Sequence, residues 1–201
     1  EFKHFSYLCA MQKSIQYIRE SLQTHFSESE LRIVTQILIS KITGYTTTQI
    51  IVNKNTIFSD EQVNLLHTFV EKLKKHEPLQ YVTGETEFYG LQIKLKPGVL
   101  IPRPETEELI EWIVQSVDNN KVCDMLDIGT GSGCIALALK SVFFFFFFCA
   151  MDISAEALEI AAENASVLSL PISFLQGNAL QMPEEKSCWD VIVSNPPYIP
   201  L

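Results

Sequence analysis

The sequence predicts an α/β protein with an N-terminal helical bundle, a β-hairpin linker and a Rossmann-like domain built on a parallel sheet. The main observation is the stretch 122–139, where a short apolar run breaks into Gly129, Gly131 and Gly133 and resumes as a helix-forming segment. Strand, glycine turn and helix form the ligand-binding corner of open α/β sheets. Three later apolar runs also end in polar residues, as expected of parallel strands that meet at one edge.

The glycine-rich loop is predicted to approach a ligand. Glycine has no Cβ to collide with a bound group, and the following helix offers free N–H groups at its N-terminus. The spacing G-x-G-x-G differs from the G-x-G-x-x-G of dinucleotide folds, and no Lys-Ser/Thr pair follows as in a phosphate loop. The alternative is a tight turn without a ligand.

Two further strand ends carry candidate ligand-binding residues. Asp152 follows the second apolar run, 19 residues beyond Gly133, and is placed to accept both hydroxyls of a ribose. The alternative is an ordinary acid that caps the next helix. The third run leads to Asn178 and Ala179. These strand ends are expected to converge on one crevice.

The segment Asn195-Pro196-Pro197-Tyr198 follows the fourth apolar run and is the most specific motif in the chain. Two prolines fix the backbone and remove two N–H donors, so nearby carbonyl oxygens lack internal partners. Asn195 adds a side-chain acceptor and Tyr198 a flat ring. This set suits a planar substrate that bears an NH₂ group. A polar turn without chemistry is the alternative.

Four segments together resemble the HemK/PrmC glutamine methyltransferases: 98–107 (G-V-L-I-P-R-P-E-T-E), 127–133 (D-I-G-T-G-S-G), 152–154 (D-I-S) and 193–198 (V-S-N-P-P-Y). Members of this family use S-adenosylmethionine to methylate the side-chain amide nitrogen of the Gln in the Gly-Gly-Gln motif of class 1 peptide-chain release factors. N-P-P-Y is shared with amino-methyltransferases of adenine and guanine, whereas L-I-P-R-P-E-T-E narrows the match.

The resemblance implies roles for individual residues. The cofactor-binding residues would be Asp127, Gly129, Thr130, Gly131, Ser132, Gly133, Asp152, Asn178, Ala179 and Asn195. The catalytic residues would be Asn195, Pro196, Pro197 and Tyr198, which would bind the substrate together with Arg103. Arg103 stands between two prolines, and a salt bridge at the helix start is its alternative role. Asn178 replaces the Asp that the family commonly has, so contact with the adenine amino group should weaken but persist.

Three parts are expected along the chain: an N-terminal helical substrate-recognition domain (1–80), a β-hairpin linker (81–97) and the S-adenosylmethionine-dependent methyltransferase domain (98–201). Capping boxes at Ser27–Glu30 and Ser59–Gln62 indicate helices, and alternating residues indicate the hairpin. The recognition role is implied by the resemblance alone, and a stabilising cap is the alternative. The family's sheet has seven strands and this sequence supplies four, so we expect an incomplete, C-terminally truncated domain.

Charge limits the choice of partner. The net charge is −9, and residues 85–201 hold 16 acidic and 6 basic residues. An acidic crevice attracts a sulfonium cation and repels phosphate backbones. The charge therefore favours a protein amide over DNA or RNA as acceptor, and we expect no direct nucleic-acid binding. The resemblance implies that the protein substrate is a class 1 release factor. The alternatives are a nucleobase amino-methyltransferase and an inactive cofactor-binding fragment.

We expect a cytoplasmic protein, or a mitochondrial one in a eukaryote, that is monomeric when full-length. The sequence contains no run of about 18 apolar residues, which is the length that would predict a membrane span. Five scattered Cys residues indicate reduced thiols without a metal site. Six consecutive phenylalanines, Phe143–Phe148, suit a buried strand but not the loop before it, which lacks turn residues. We assign no functional motif to this run.

Overall fold

The computed structural model describes residues 10–118, 121, 123–181 and 189–196. The chain divides into two compact units, Glu1–Thr83, here called the helical unit, and Gly84–Leu201, here called the α/β unit. No helix in the described ranges is long and apolar enough to cross a membrane.

Helices that pack around an apolar core build the helical unit. Its described helices are α1 Met11–Leu22, α2 Glu28–Thr43, α3 Thr47–Val52, α4 Asp60–Lys74 and α5 Leu79–Thr83. The two predicted capping boxes are present. The Glu30 N–H donates to Ser27 Oγ while the Ser27 N–H donates to Glu30 Oε2, and Ser59 and Gln62 repeat this exchange at α4. The core includes Ile18, Leu38, Leu66, Val70 and Leu73.

The segment before the hairpin differs from the prediction. The linker predicted for 81–97 begins inside α5, so residues 81–83 are helical rather than extended. The reason is Pro78, which directly precedes α5. Proline fits the first turn of a helix because its missing N–H has no intrahelical partner there. Its carbonyl oxygen accepts the N–H groups of Tyr81 and Val82.

A β-hairpin opens the α/β unit. Strands β1 Glu85–Phe88 and β2 Leu91–Lys94 pair antiparallel across a turn of Tyr89 and Gly90. Both turn residues have positive φ angles, as tight hairpins with a two-residue loop require. Tyr89, a non-glycine residue in this strained region, is held from outside the turn. Its N–H donates to Glu107 Oε1 at 2.9 Å and its hydroxyl to Glu111 Oε1 at 2.8 Å.

A parallel sheet carries the rest of the α/β unit and confirms the predicted fold class. Its described strands are β3 Asp124–Ile128, β4 Phe147–Asp152, β5 Ser173–Gln176 and β6 Val191–Ser194, and its helices are α6 Glu105–Ser116, α7 Cys134–Val142 and α8 Ala155–Leu168. The strand order is β5-β4-β3-β6. Since the chain moves outward from β3 to β5 and then returns to the other side of β3, the carboxyl end of β3 lies at a topological switch point, where such sheets bind ligands.

The phenylalanine run supplies both a connection and a strand. Phe143 and Phe146 are buried in the turn and stack with ring centroids 4.8 Å apart, and β4 begins at Phe147. Lys140, itself buried near the end of α7, replaces the missing turn residues. Its Nζ donates to the carbonyl oxygens of Phe144 at 2.6 Å and Phe146 at 2.7 Å. Burial lowers the pKa of this lysine.

Candidate functional site

The glycine loop lies between β3 and α7, and its third glycine packs closely against α8. Gly131 and Gly133 have φ angles of 56° and 81°, in the region that favours glycine. A Cβ on Gly133 would also lie 3.1 Å from Ala161 Cβ on α8. The third glycine is therefore needed both for backbone shape and for close packing of the helix.

Backbone hydrogen bonds fasten the loop to the end of β4. The N–H groups of Gly129 and Thr130 both donate to the carbonyl oxygen of Met151. The Gly131 N–H donates to Asp152 Oδ2 at 2.9 Å, and the Ser154 N–H donates to Asp152 Oδ1 at 3.0 Å. The half-buried Asp152 carboxylate thus joins the loop to the start of α8. Each of its oxygens can still accept another hydrogen bond.

Asp127 supports the loop from within the sheet. Its Oδ2 accepts the Thr130 hydroxyl at 2.7 Å and the Ala136 N–H in the first turn of α7 at 3.3 Å. Among the described residues nothing pairs with its buried Oδ1. Burial raises the pKa of Asp127 to about 6, although the two hydrogen bonds favour the ionised form. Asp127 is not among the described residues that line the cavities below, and its role as a cofactor ligand remains a prediction.

Two adjoining cavities open at this edge of the sheet. The Asp152 cavity, of about 390 Å³, is lined by residues that include Val99, Asp152, Ser154, Gly177, Asn178 and Ala179. The Thr106 cavity, of about 340 Å³, is lined by residues that include Pro102, Arg103, Thr106, Thr130, Ser132 and Pro196. Both are also lined by Leu100, Gly129, Gly131 and Asn195. A ligand in one cavity would therefore meet a ligand in the other at this shared wall.

The end of β5 forms one side of the Asp152 cavity. The Gly177 N–H donates to the Asp152 carbonyl oxygen at 3.0 Å, and a Cβ on Gly177 would lie 2.8 Å from Met151 Cε. The Asn178 Oδ1 accepts the Leu180 N–H at 3.0 Å. Asn178 Oδ1, the predicted acceptor for the adenine amino group, therefore already accepts one hydrogen bond. Its second lone pair is available to a ligand.

Asn195 stands at the end of β6. Its Nδ2 donates to Thr106 Oγ1 at 3.0 Å, and the preceding Ser194 Oγ donates to the carbonyl oxygen of Ile128 at 2.8 Å. Pro196 follows in the wall of the Thr106 cavity. Of the predicted catalytic set, Asn195 and Pro196 are thus placed together, whereas Pro197 and Tyr198 lie outside the described residues.

Arg103 reaches the Thr106 cavity from the segment before α6. Its side chain is exposed, and it forms no ion pair with any other residue that the structure describes. The alternative of a salt bridge at the helix start therefore finds no support within those residues. The carbonyl oxygen of Arg103 accepts the Thr106 N–H at 2.9 Å, which ties the two residues into one turn.

Sequence reasoning missed two residues that shape the site, Thr106 and Asn164. Asn164 is 1% exposed on α8, and its amide joins three segments. Its Oδ1 accepts the Lys94 N–H at 2.8 Å, and its Nδ2 donates to the carbonyl oxygens of Lys94 at 3.1 Å and Ser132 at 2.9 Å. The position of Asn164 on the buried face of α8, beside Ile160 and Ala161, could have identified it from the sequence. Buried amides are normally hydrogen-bonded, so an asparagine at such a position indicates a contact with another segment.

An open parallel sheet with a glycine loop after its central strand and an Asn-Pro turn beside it defines the class of Rossmann-like methyltransferases. Comparisons with known proteins agree. Residues 14–84 match the family described as the PrmC N-terminal domain, and residues 105–199 match the family described as the methyltransferase small domain.

The relatives by sequence are more specific. A release factor glutamine methyltransferase of Bacteroides thetaiotaomicron is 37% identical over 190 residues, which are 94% of this chain and 68% of that protein. One of Flavobacterium psychrophilum is 36% identical over 183 residues, 90% of this chain and 64% of that protein. The chain thus spans about two thirds of the length of these relatives. It belongs to the release factor glutamine methyltransferase family, which confirms the resemblance seen in the sequence.

Among solved structures, the tRNA (uracil-54, C5)-methyltransferase of Pyrococcus abyssi in complex with S-adenosyl-L-homocysteine superposes partially. It is 17% identical, with a TM-score of 0.46, over 56% of this chain and 27% of that chain. The family assignment rests on the sequence relatives.

Proposed function

We propose that this chain forms part of an enzyme that transfers a methyl group from S-adenosylmethionine to the side-chain amide nitrogen of the Gln in the Gly-Gly-Gln motif of class 1 release factors. The observation that carries the proposal is the position of Asn195, in the wall shared by the two cavities. A side chain at that wall is within reach of both a cofactor and an acceptor.

The Asp152 cavity fits the cofactor. Asp152 has acceptor capacity for the ribose hydroxyls, and Asn178 and Ala179, which would contact the adenine, line the same cavity. Gly129 and Gly131 form the shared wall without side chains and so leave room for the sulfonium group. S-adenosylmethionine supplies the electrophilic methyl group, and the acidic α/β unit favours its positive charge.

The Thr106 cavity suits an amide acceptor. An amide nitrogen is a weak nucleophile because its lone pair is delocalised. Asn195 Oδ1 and the Pro196 carbonyl oxygen can each accept one N–H of the substrate and so aim its nitrogen at the methyl carbon. We infer that Pro197 fixes this turn and that Tyr198 packs on the amide plane. Positioning of this kind contributes up to roughly 7–11 kcal/mol in well-oriented reactions. No histidine follows His76 in the sequence, so we invoke no histidine base and let the amide proton leave after transfer.

The other parts of the proposal concern partners. The helical unit would recognise the release factor, with a stabilising cap as the alternative role. Arg103 would contact the substrate at the mouth of the Thr106 cavity. We further propose a cytoplasmic protein that is monomeric at full length and does not bind nucleic acid or membranes directly. A nucleobase amine is the rival acceptor, and the excess of acidic residues in the α/β unit speaks against it.

Incubation of the full-length protein with methyl-labelled S-adenosylmethionine and, in turn, a class 1 release factor, DNA and tRNA tests the proposal. Label should enter the release factor at the Gln of Gly-Gly-Gln, and a release factor with Ala in place of that Gln is the matched control. Label in DNA or tRNA, with none in the release factor, would overturn it.

Asp152→Ala should weaken the binding of S-adenosylmethionine and S-adenosylhomocysteine alike. The loss of a hydrogen bond to a charged group costs about 1.5–3 kcal/mol, which corresponds to about 10- to 150-fold in the dissociation constant. Calorimetric titration of both ligands measures this, and Glu159→Ala, which removes an exposed acid from α8, is the control. Unchanged affinity for both ligands would leave Asp152 with a purely structural role.

A further inference from the structure

Thr106 carries a hydroxyl group at one end of an otherwise apolar helix face. It lies in the first turn of α6 on the same buried side as Ile110 and Ile113. A buried hydroxyl without a partner would cost free energy. Its partner is Asn195, whose Nδ2 donates to Thr106 Oγ1 at 3.0 Å inside the Thr106 cavity. The pair joins α6 to the end of β6, two elements far apart in the chain.

Two contacts then define how Asn195 is presented. The hydrogen bond from Ser194 Oγ to the Ile128 carbonyl oxygen fixes the main chain just before it, because Ser194 and Ile128 are partners in the register of β3 and β6. Thr106 fixes its side chain. A primary amide has a donor edge and an acceptor edge. With Nδ2 on Thr106, the acceptor edge, Oδ1, is the one left for a bound substrate.

We propose that Thr106 is a positioning residue for methyl transfer, which anchors the Asn195 side chain through Nδ2 and leaves Oδ1 for the N–H of the acceptor. The inference rests on the proposed function. If the amide of Asn195 were reversed, its N–H groups would face the N–H groups of the substrate. The Asn195 side chain would then offer no acceptor to orient the substrate nitrogen. The acceptors that fit are primary amides and exocyclic amines. Fully substituted nitrogens do not fit.

Thr106→Val keeps the shape of the side chain and removes the hydrogen bond, whereas Thr106→Ser keeps the hydroxyl. In the full-length protein, Thr106→Val should lower kcat by about 2- to 12-fold, the effect of one net hydrogen bond. The affinity for S-adenosylhomocysteine should remain unchanged, and Thr106→Ser should restore most of the turnover. Thr35→Val, which removes another buried hydroxyl from α2, is the control for a general loss of stability.

Three results would overturn the proposal: unchanged turnover in Thr106→Val, a parallel fall in S-adenosylhomocysteine affinity, or a Thr106→Ser protein as slow as Thr106→Val. A second measurement stands apart from the methylation reaction. The side-chain NH₂ signals of Asn195 in a ¹H–¹⁵N spectrum should shift in Thr106→Val and not in Thr35→Val, and unshifted signals would also overturn it. If the wild-type protein methylates no release factor, the proposed function fails while this spectrum still tests the pairing.

Discussion

Replacing Asn195 with alanine should reduce methyl transfer by about 100-fold or more, because misplacement of a reacting atom by even about 1 Å costs about that much. Asn195 lines the shared wall, where under the proposal it would guide the acceptor nitrogen through a contact that strengthens as the methyl group moves. The dissociation constant of S-adenosylhomocysteine should change much less than turnover. Single-turnover kinetics and calorimetry on the same protein measure the two effects separately.

Gln115→Ala is the matched control, since it removes an exposed side-chain amide from α6 and Gln115 is not among the residues that line the two cavities. It should leave turnover and cofactor affinity at wild-type values. Because Asn195 also lines the Asp152 cavity, an equal loss of cofactor affinity and turnover in Asn195→Ala would identify it as a cofactor residue instead.

Asp127 should make the protein less stable as the pH rises from 4 to 7. Burial raises its pKa from 3.8 to about 6, so between these values the folded state holds a proton that the unfolded state has lost. The contribution of Asp127 to the free energy of unfolding is therefore full below pH 4 and falls by about 3 kcal/mol as the pH passes 6. Chemical denaturation of the wild type and Asp127→Asn across this range measures it.

The quantity to compare is the difference between the two proteins, because acids on the surface also titrate over this range. Asp127→Asn cannot ionise at this position, so its stability relative to the wild type should increase steadily from pH 4 to pH 7. Glu108→Gln removes an exposed negative charge from α6 and controls for net charge. A difference that stays constant with pH would mean that the carboxyl of Asp127 titrates alike in the folded and unfolded states.

Local patterns were enough to predict the fold class and the converging strand ends. The apolar run before Gly129 and the run before Asn195 give β3 and β6, because buried parallel strands leave short apolar signatures that polar residues terminate. Capping boxes also act over three residues, so Ser27 and Ser59 could be recognised directly. These features could be predicted because the residues that determine each of them lie within one short segment.

Features that depend on distant partners could not be predicted. Asn195 and Thr106 are 89 residues apart, and Asn164 meets Lys94 across 70 residues. No local sequence pattern around Asn195 or Asn164 identifies the distant partner of its side chain. The turn of the phenylalanine run was missed for a related reason: Lys140 resembles a surface lysine, and only the folded chain brings its Nζ to two carbonyl oxygens. The helical conformation of residues 81–83 was missed because a proline such as Pro78 can either end or begin a helix.

The strand order β5-β4-β3-β6 also sets the sequence in which the site is assembled during synthesis. Apart from Asn195, the residues that line the Asp152 cavity lie between 98 and 179 and leave the ribosome before β6 does. β6 must then return to β3, where Ser194 meets Ile128 across 66 residues. Because chains emerge from the N-terminal side, a growing polypeptide contains most residues of the Asp152 cavity before Asn195 has been synthesised. If Asn195 guides the acceptor as proposed, methyl transfer becomes possible only after β6 has docked against β3.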